Sequence, residues 1–227
     1  MNSSSDEFKP DLDVRQVALP GMIGDVDALH AGRHPVDAAR ALLGAELRSG
    51  DVTMRIVEVE AYGGPEGGPW PDSAAHSYRG STPRNGVMFG PPGRLYVYLS
   101  YGMHLCMNVT CGPDGDAAAV LLRAAEVVDG VSVVRSRRGP SASDARIASG
   151  PGNLGQAMGV SLADNGVDLL DAGSSIRLDK VGSDCAQVAE GPRVGVSTAA
   201  DRAWRFWLPG SAAVSAYRRS PRAPMRP

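Results

Sequence analysis

"RLYVYLSYGMHLCMNVT", Arg94 to Thr110, gathers three of the chain's six tyrosines between Tyr96 and Tyr101, and a glycine follows the last of them. Leu95, Val97 and Leu99 alternate with Tyr96, Tyr98 and Ser100. Tyr101-Gly102 then interrupts the alternation, and a second apolar run extends from Cys106 to Val109. This is the pattern of two strands joined by a tight turn, with Gly102 allowing the turn and Tyr101 carried on it. Tyrosines in a hairpin commonly form cross-strand pairs. Beside a turn they also make surfaces on which bases stack, or wedges between base pairs.

Upstream, "VTMRIVEVEAY" interleaves Met54, Ile56, Val57 and Val59 with Arg55, Glu58 and Glu60, which suits a half-buried strand with Glu60 near its end. Before it, "HPVDAARALLGAEL" from His34 reads as a helix with proline near its start and Ala39, Leu42 and Leu43 on one face. Residues 63–93, "GGPEGGPWPDSAAHSYRGSTPRNGVMFGPPG", are too rich in glycine and proline for regular structure and read as a long ordered loop or several turns. Downstream, "AAAVLLRAAEVV" is strand-like, and 135–150 reads as helix or loop. No internal repeat is present.

With 227 residues the chain can bury one sizeable core, and its length favours a single domain. Its longest apolar run is far too short to cross a bilayer, so no membrane association is expected. The polar, acidic "MNSSSDEFKPDLD" lacks the basic start and apolar middle of a secretory signal, so the expected compartment is the cytoplasm. Cys106, Cys111 and Cys185 form an odd set without paired short spacing. They read as buried, reduced thiols, not as a disulfide framework or zinc site, and neither metal nor cofactor is expected.

The net charge of -2 hides an uneven distribution. Residues 1–30 hold six acids against Lys9 and Arg15, whereas 202–227 hold six arginines and no acid. One end repels phosphate and the other attracts it. Lys9 and Lys180 are the only lysines; arginine supplies the rest of the 23 basic residues.

Glu60 is a carboxylate in an apolar strand, close to Tyr62 and followed by a loop that bears His76. At the mouth of a pocket it could take a proton from water; equally, it could pair with an arginine such as Arg123 and brace the sheet. His76 could be an acid, a hydrogen-bond donor or an ordinary loop residue. His30, His34 and His104 are less well placed for chemistry. No GxxxxGK[ST], no GxGxxG between a strand and a helix, and no GxSxG occurs, which disfavours nucleotide-triphosphate, dinucleotide and serine-hydrolase chemistry.

Taken together, "RIVEVEAYGGPE", "AAHSYRGSTPRNGVMFGPPGRLYVYLSYGMHLCMNV", "AAVLLRAAE", "SGPGNLGQAMGV" and "PRVGV" resemble, in order and spacing, the alkyladenine (3-methyladenine) DNA glycosylase family. The match covers most of residues 18–215, and the linked set is far more specific than any one block.

The resemblance implies a single α+β domain over 18–215, with a curved, largely antiparallel sheet, peripheral helices and a protruding β-hairpin. Residues 1–17 are expected to form a disordered acidic tail and 216–227 an Arg/Pro-rich tail. It also implies a monofunctional glycosylase of base excision repair, acting as a monomer on double-stranded DNA; the few lysines and many Arg, Ala, Gly and Pro residues point to a GC-rich bacterial genome, and so to the nucleoid as the expected place of action. Such an enzyme flips alkylated purines (3-methyladenine, 7-methylguanine) or deaminated ones into a pocket and hydrolyses the N-glycosidic bond. By the same resemblance Glu60 is the general base and Arg123 a site arginine. Tyr62 and His76 enclose one face of the base, and Tyr98 stacks on the other. Asn108 clashes with the 2-amino group of normal guanine, Tyr101 fills the gap left by the flipped nucleotide, and Met103 and Arg84 lie at the DNA. Neither lysine falls in the matching blocks, so the amine of a glycosylase-lyase is not supplied. The rival readings are a non-catalytic lesion-binding protein of the same fold and, from the isolated carboxylate alone, a small-molecule hydrolase.

Overall fold

The computed structural model describes residues 15–18, 29, 34–179 and 187–225. Its spine is β3 (Val52–Tyr62), antiparallel to β6 (Ala119–Asp129) along one edge. Its other edge carries β2 (Glu46–Ser49) beside the first half and β9 (Arg205–Trp207) beside the second. β6 continues into β5 (His104–Thr110) and β4 (Leu95–Ser100), and β9 into β8 (Gln187–Gly191) and β1 (Arg15–Ala18). β7 (Ile176–Asp179) adds to β2. All these ladders are antiparallel, as the resemblance implied. Among the described residues no helix is long and apolar enough to cross a membrane.

β3 is buried on both faces except at Arg55, so the half-buried strand read from its alternation is corrected: helix and loop cover the second face as well. Met54 and Ile56 enter the main core with Val59 and Ala61, although Ile56 and Val59 are three positions apart, an odd step that regular alternation would put on opposite faces. A register shift around Val57 and Glu58 absorbs the extra residue. The bulge thereby puts Glu58, Glu60 and Tyr62 on the face of Val57, away from the main core. Without it the two glutamates would point into a hydrocarbon interior, where an unpaired charge is very costly.

Three short helices cover the sheet. α1 (Pro35–Leu42) starts with Pro35 and is capped by His34, whose Nδ1 accepts the Val36 N–H at 3.2 Å; Leu43, read as helical, ends it in extended conformation. α2 (Val131–Arg138) and α3 (Pro151–Met158) follow β6. α3 lies so close to β5 that a Cβ on Gly155 would sit 2.1 Å from the Leu105 carbonyl oxygen, which restricts that position to glycine.

β4 and β5 pair from Leu95↔Val109 to Ser100↔His104, leaving Tyr101, Gly102 and Met103 as the turn. This pairing puts Tyr101-Gly102 between the two strands. Tyr101 and Gly102 both have positive φ, 48° and 71°; for glycine this costs little, for tyrosine about 1 kcal/mol.

β1 begins inside the stretch expected to be disordered, while residues 1–14 lie outside the described residues. Beyond residue 215, the Arg218 carbonyl accepts the Gly195 N–H at 2.9 Å and Arg219 pairs with Asp201 at 3.0 Å, so the start of the Arg/Pro-rich segment lies against the fold. Cys106 and Cys111 are buried free thiols; Cys185, His30 and both lysines lie outside the described residues.

Candidate active site

Glu60 stands two residues before the end of β3 with no solvent exposure. Its Oε1 accepts the Val194 N–H at 2.7 Å and faces Arg123 Nη1 at 3.1 Å; its Oε2 accepts the Tyr62 hydroxyl at 2.8 Å. Three donors from three segments thus fix the carboxylate: β3 itself, β6 across the ladder, and the "PRVGV" loop that follows β8. The Tyr62 phenol is pushed well above its ordinary value, first by burial and then by the negative charge of Glu60, so it stays a donor.

Arg123 both braces the sheet and belongs to the site. Its Nε donates to Glu58 Oε1 at 2.7 Å while its Nη1 faces Glu60. Glu58, equally buried, also receives Arg205 Nε at 2.7 Å, the Ser215 hydroxyl at 2.8 Å and the Ser215 N–H at 2.6 Å. Burial acts to raise the Glu58 carboxyl, but the guanidiniums of Arg123 and Arg205 and the Ser215 amide outweigh it and hold it below its ordinary range. Burial acts to lower Arg123, and Glu60 and Glu58 together hold it above its ordinary value. Arg123 thus bridges the two buried carboxylates, and Arg205 pairs with Glu58 alone.

This cluster forms the charged end of a cavity of about 690 Å³. Tyr62, His76, Tyr98 and Asn108 line it together with Glu60 and Arg123. Arg84 and Tyr101 line it from exposed positions, and Met103, 73% exposed, stands beside Tyr101 on the turn but outside the lining. Arg84 bonds the Leu99 carbonyl at 3.2 Å and lies 5.7 Å over the Tyr98 ring, tying the mouth to β4. Asn108 is buried and donates to the Tyr96 carbonyl at 3.1 Å. Tyr101, 92% exposed, projects from the mouth on a strained backbone, with Leu99 and Met103 as exposed apolar neighbours.

The site thus joins a buried carboxylate to a cavity lined by aromatic rings, with Tyr101 exposed beside it. Residues 30–212 match the model of the family described as methylpurine-DNA glycosylase. The chain belongs to the methylpurine-DNA glycosylase family. A relative from Nocardia farcinica, provisionally named a 3-methyladenine DNA glycosylase, is 65% identical over 191 residues, covering 84% of this chain and 90% of the relative. Relatives with the same provisional name come from Rhodococcus jostii, 63% identical over 198 residues (87% of each chain), and from Mycobacterium tuberculosis, 59% identical over 192 residues (85% of this chain, 94% of the relative).

One detail of the arrangement read from the sequence changes in this family member. His76 was placed with Tyr62, opposite Tyr98. Its ring instead meets that of Tyr98 edge to face, with centroids 4.5 Å apart at 89°, and its Nδ1 lies 3.1 Å from the Tyr96 hydroxyl. The cause lies in the loop: buried Asn85 donates to the His76 carbonyl at 2.9 Å and holds that residue toward the hairpin. Tyr62 has a different neighbour, the Arg193 guanidinium, 4.6 Å from its ring centroid.

Several residues that build this site were missed. Glu58 looked like one more polar position of an alternating strand, and the bulge that pairs it with Glu60 has no local signature. Arg193 and Asp72 meet across 121 residues of sequence, and Val194 acts through its amide, which any residue type would supply.

Proposed function

We propose that this protein is a monofunctional DNA glycosylase that excises methylated purines from duplex DNA. The observation that carries the reading is Glu60, a fully buried carboxylate held by three donors at the end of a cavity lined by aromatic rings. A damaged purine rotated out of the helix stacks between Tyr62 on one side and the joined His76–Tyr98 wall on the other. Glu60 takes a proton from a water molecule as the water oxygen forms its bond to C1′. The C1′–N bond breaks with its electron pair passing to the purine, and the negative charge of Glu60 stabilises the oxocarbenium character that develops. Arg123 holds Glu60 in place, and Tyr101 occupies the stack position that the flipped nucleotide leaves.

Purines methylated at N3 or N7 are cationic, and gaining the electron pair neutralises them, so they leave without a proton donor. Hypoxanthine is neutral and leaves faster when protonated; among the described residues Glu60 is the only carboxylic acid lining the cavity, so we expect slower excision of that base. Asn108 at the cavity wall reads as the group that meets the 2-amino group of intact guanine.

The test is free-base release from a methylated duplex and from a hypoxanthine duplex, with strand cleavage scored before and after alkali. We expect base release from the methylated duplex and breaks only after alkali. Breaks without alkali contradict the monofunctional reading, and lesion binding without release favours a recognition protein.

A further inference from the structure

Behind Tyr62, away from the cavity, lies a buried ion pair that the proposed chemistry does not use. Arg193, 1% exposed, holds Asp72, which has no exposure, through both guanidinium branches: Nη1 to Oδ2 at 2.6 Å and Nη2 to Oδ1 at 2.9 Å. Asp72 also accepts the Gly63 N–H at 3.0 Å and the Ala74 N–H at 3.2 Å. Arg193 Nη1 reaches the Ala61 carbonyl at 3.1 Å, between the two site residues of β3. Its guanidinium sits 4.6 Å from the Tyr62 ring centroid and 5.4 Å from that of Trp204. Arg202 also flanks Trp204, 4.7 Å from that ring, and lies 3.8 Å from Asp72, with its side chain 40% exposed. Tyr62 lines the cavity and Arg193 does not, so the guanidinium stands behind the wall that Tyr62 presents.

The geometry points to the Asp72–Arg193 pair as a specificity-determining element that sets how well the cavity accepts a cationic rather than a neutral purine. The inference rests on the reading of the cavity as a purine pocket. A base stacked on Tyr62 lies one ring thickness further from the guanidinium, about 8 Å in all. A bare cation at that distance in a poorly hydrated wall disfavours a cationic base by roughly ten- to thirtyfold. Asp72 cancels it. Arg202 is the other cation near Asp72, and its exposure lets water screen it. The pair therefore lets a rigid guanidinium support the Tyr62 ring without opposing a positively charged lesion in front of it.

The charge argument predicts opposite signs for the two partners, which a purely structural role does not. Affinity is measured with three duplexes: one carrying 7-methylguanine, one hypoxanthine, one undamaged, with a 2′-fluorine on the test nucleoside to slow base release. We expect Asp72→Asn to lower the ratio of 7-methylguanine to hypoxanthine affinity about tenfold and Arg193→Gln to raise it. The double variant, neutral at both positions, should return toward the wild-type ratio. If both single variants move the ratio the same way, or weaken both lesions in equal proportion, the inference is overturned. If Asp72→Asn does not fold, Arg193→Gln and the double variant still decide by the sign of their shifts. Wild type that binds all three duplexes alike would overturn the purine-pocket reading itself.

Discussion

Arg123 joins Glu58 to Glu60: one guanidinium donates to Glu58 at 2.7 Å and faces Glu60 at 3.1 Å, so the carboxylate proposed to act on water is held through the one that cannot reach it. Glu58 is thereby a positioning residue, and its own anchors, Arg205 and Ser215, bring β9 and the segment after it to the back of the site.

Breaking that group should be costly. Glu58→Gln leaves Arg123 and Arg205 buried with one anion fewer, a change worth about 3–5 kcal/mol of stability in comparable buried pairs. The expected result is a lower midpoint in chemical denaturation together with slower base release. A variant as stable as wild type would contradict the bracing role.

Acid should act through the same groups. Glu58 and Asp72 are both held below their ordinary values of 4.5 and 3.8, against burial, by Arg123 and Arg205 in one case and Arg193 in the other. A depressed carboxyl stabilises the fold fully above its unfolded value and stops doing so as pH falls through its folded value. Denaturation midpoints should therefore hold down to about pH 4.5 on this account and fall below it, with a shallower acid limb in Glu58→Gln.

His76 should titrate low. Burial, and after it the positive charge of Arg84, lower its imidazole from 6.5 even though the residue keeps contact with solvent at the cavity mouth. Any stability gained from neutral His76 is full above 6.5 and lost as pH falls through the folded value. NMR titration should find its midpoint below 6.5 and show it rising in Arg84→Gln. A midpoint at or above 6.5 would contradict the assignment.

Tyr101 should separate stability from DNA binding. At φ 48° it holds a conformation that asparagine adopts more readily, and with 92% exposure it gives little to the core. Tyr101→Asn should therefore melt at or slightly above the wild-type temperature while losing affinity for lesion DNA by about tenfold or more. Equal affinity would show that the ring does not enter the duplex.

Elements whose information is local were legible in the sequence. The hairpin announced itself by two alternating runs around Tyr101-Gly102, and α1 by a proline start and an apolar face. Glu60, Tyr62, His76, Tyr98, Asn108 and Arg123, all named from the linked motif blocks, line one cavity. What could not be read depends on distance or backbone. The bulge at Val57–Glu58 reverses which face of β3 the glutamates occupy, and nothing in "VTMRIVEVEAY" marks it. The Asp72–Arg193 pair spans two loops, and the donor from Val194 is a peptide N–H. His76 turned toward Tyr98 because Asn85, nine residues on, holds its carbonyl, a side-chain preference that spacing does not express.

The most direct test of the account is single-turnover release of methylated purine by Glu60→Gln against wild type, with duplex affinity measured in parallel. The substitution keeps the size of the side chain and its bond from Val194 but cannot hold the proton taken from water. The account predicts a loss of roughly a hundredfold or more in rate, with affinity for lesion DNA retained. Release at the wild-type rate would contradict it and remove Glu60 from the chemistry.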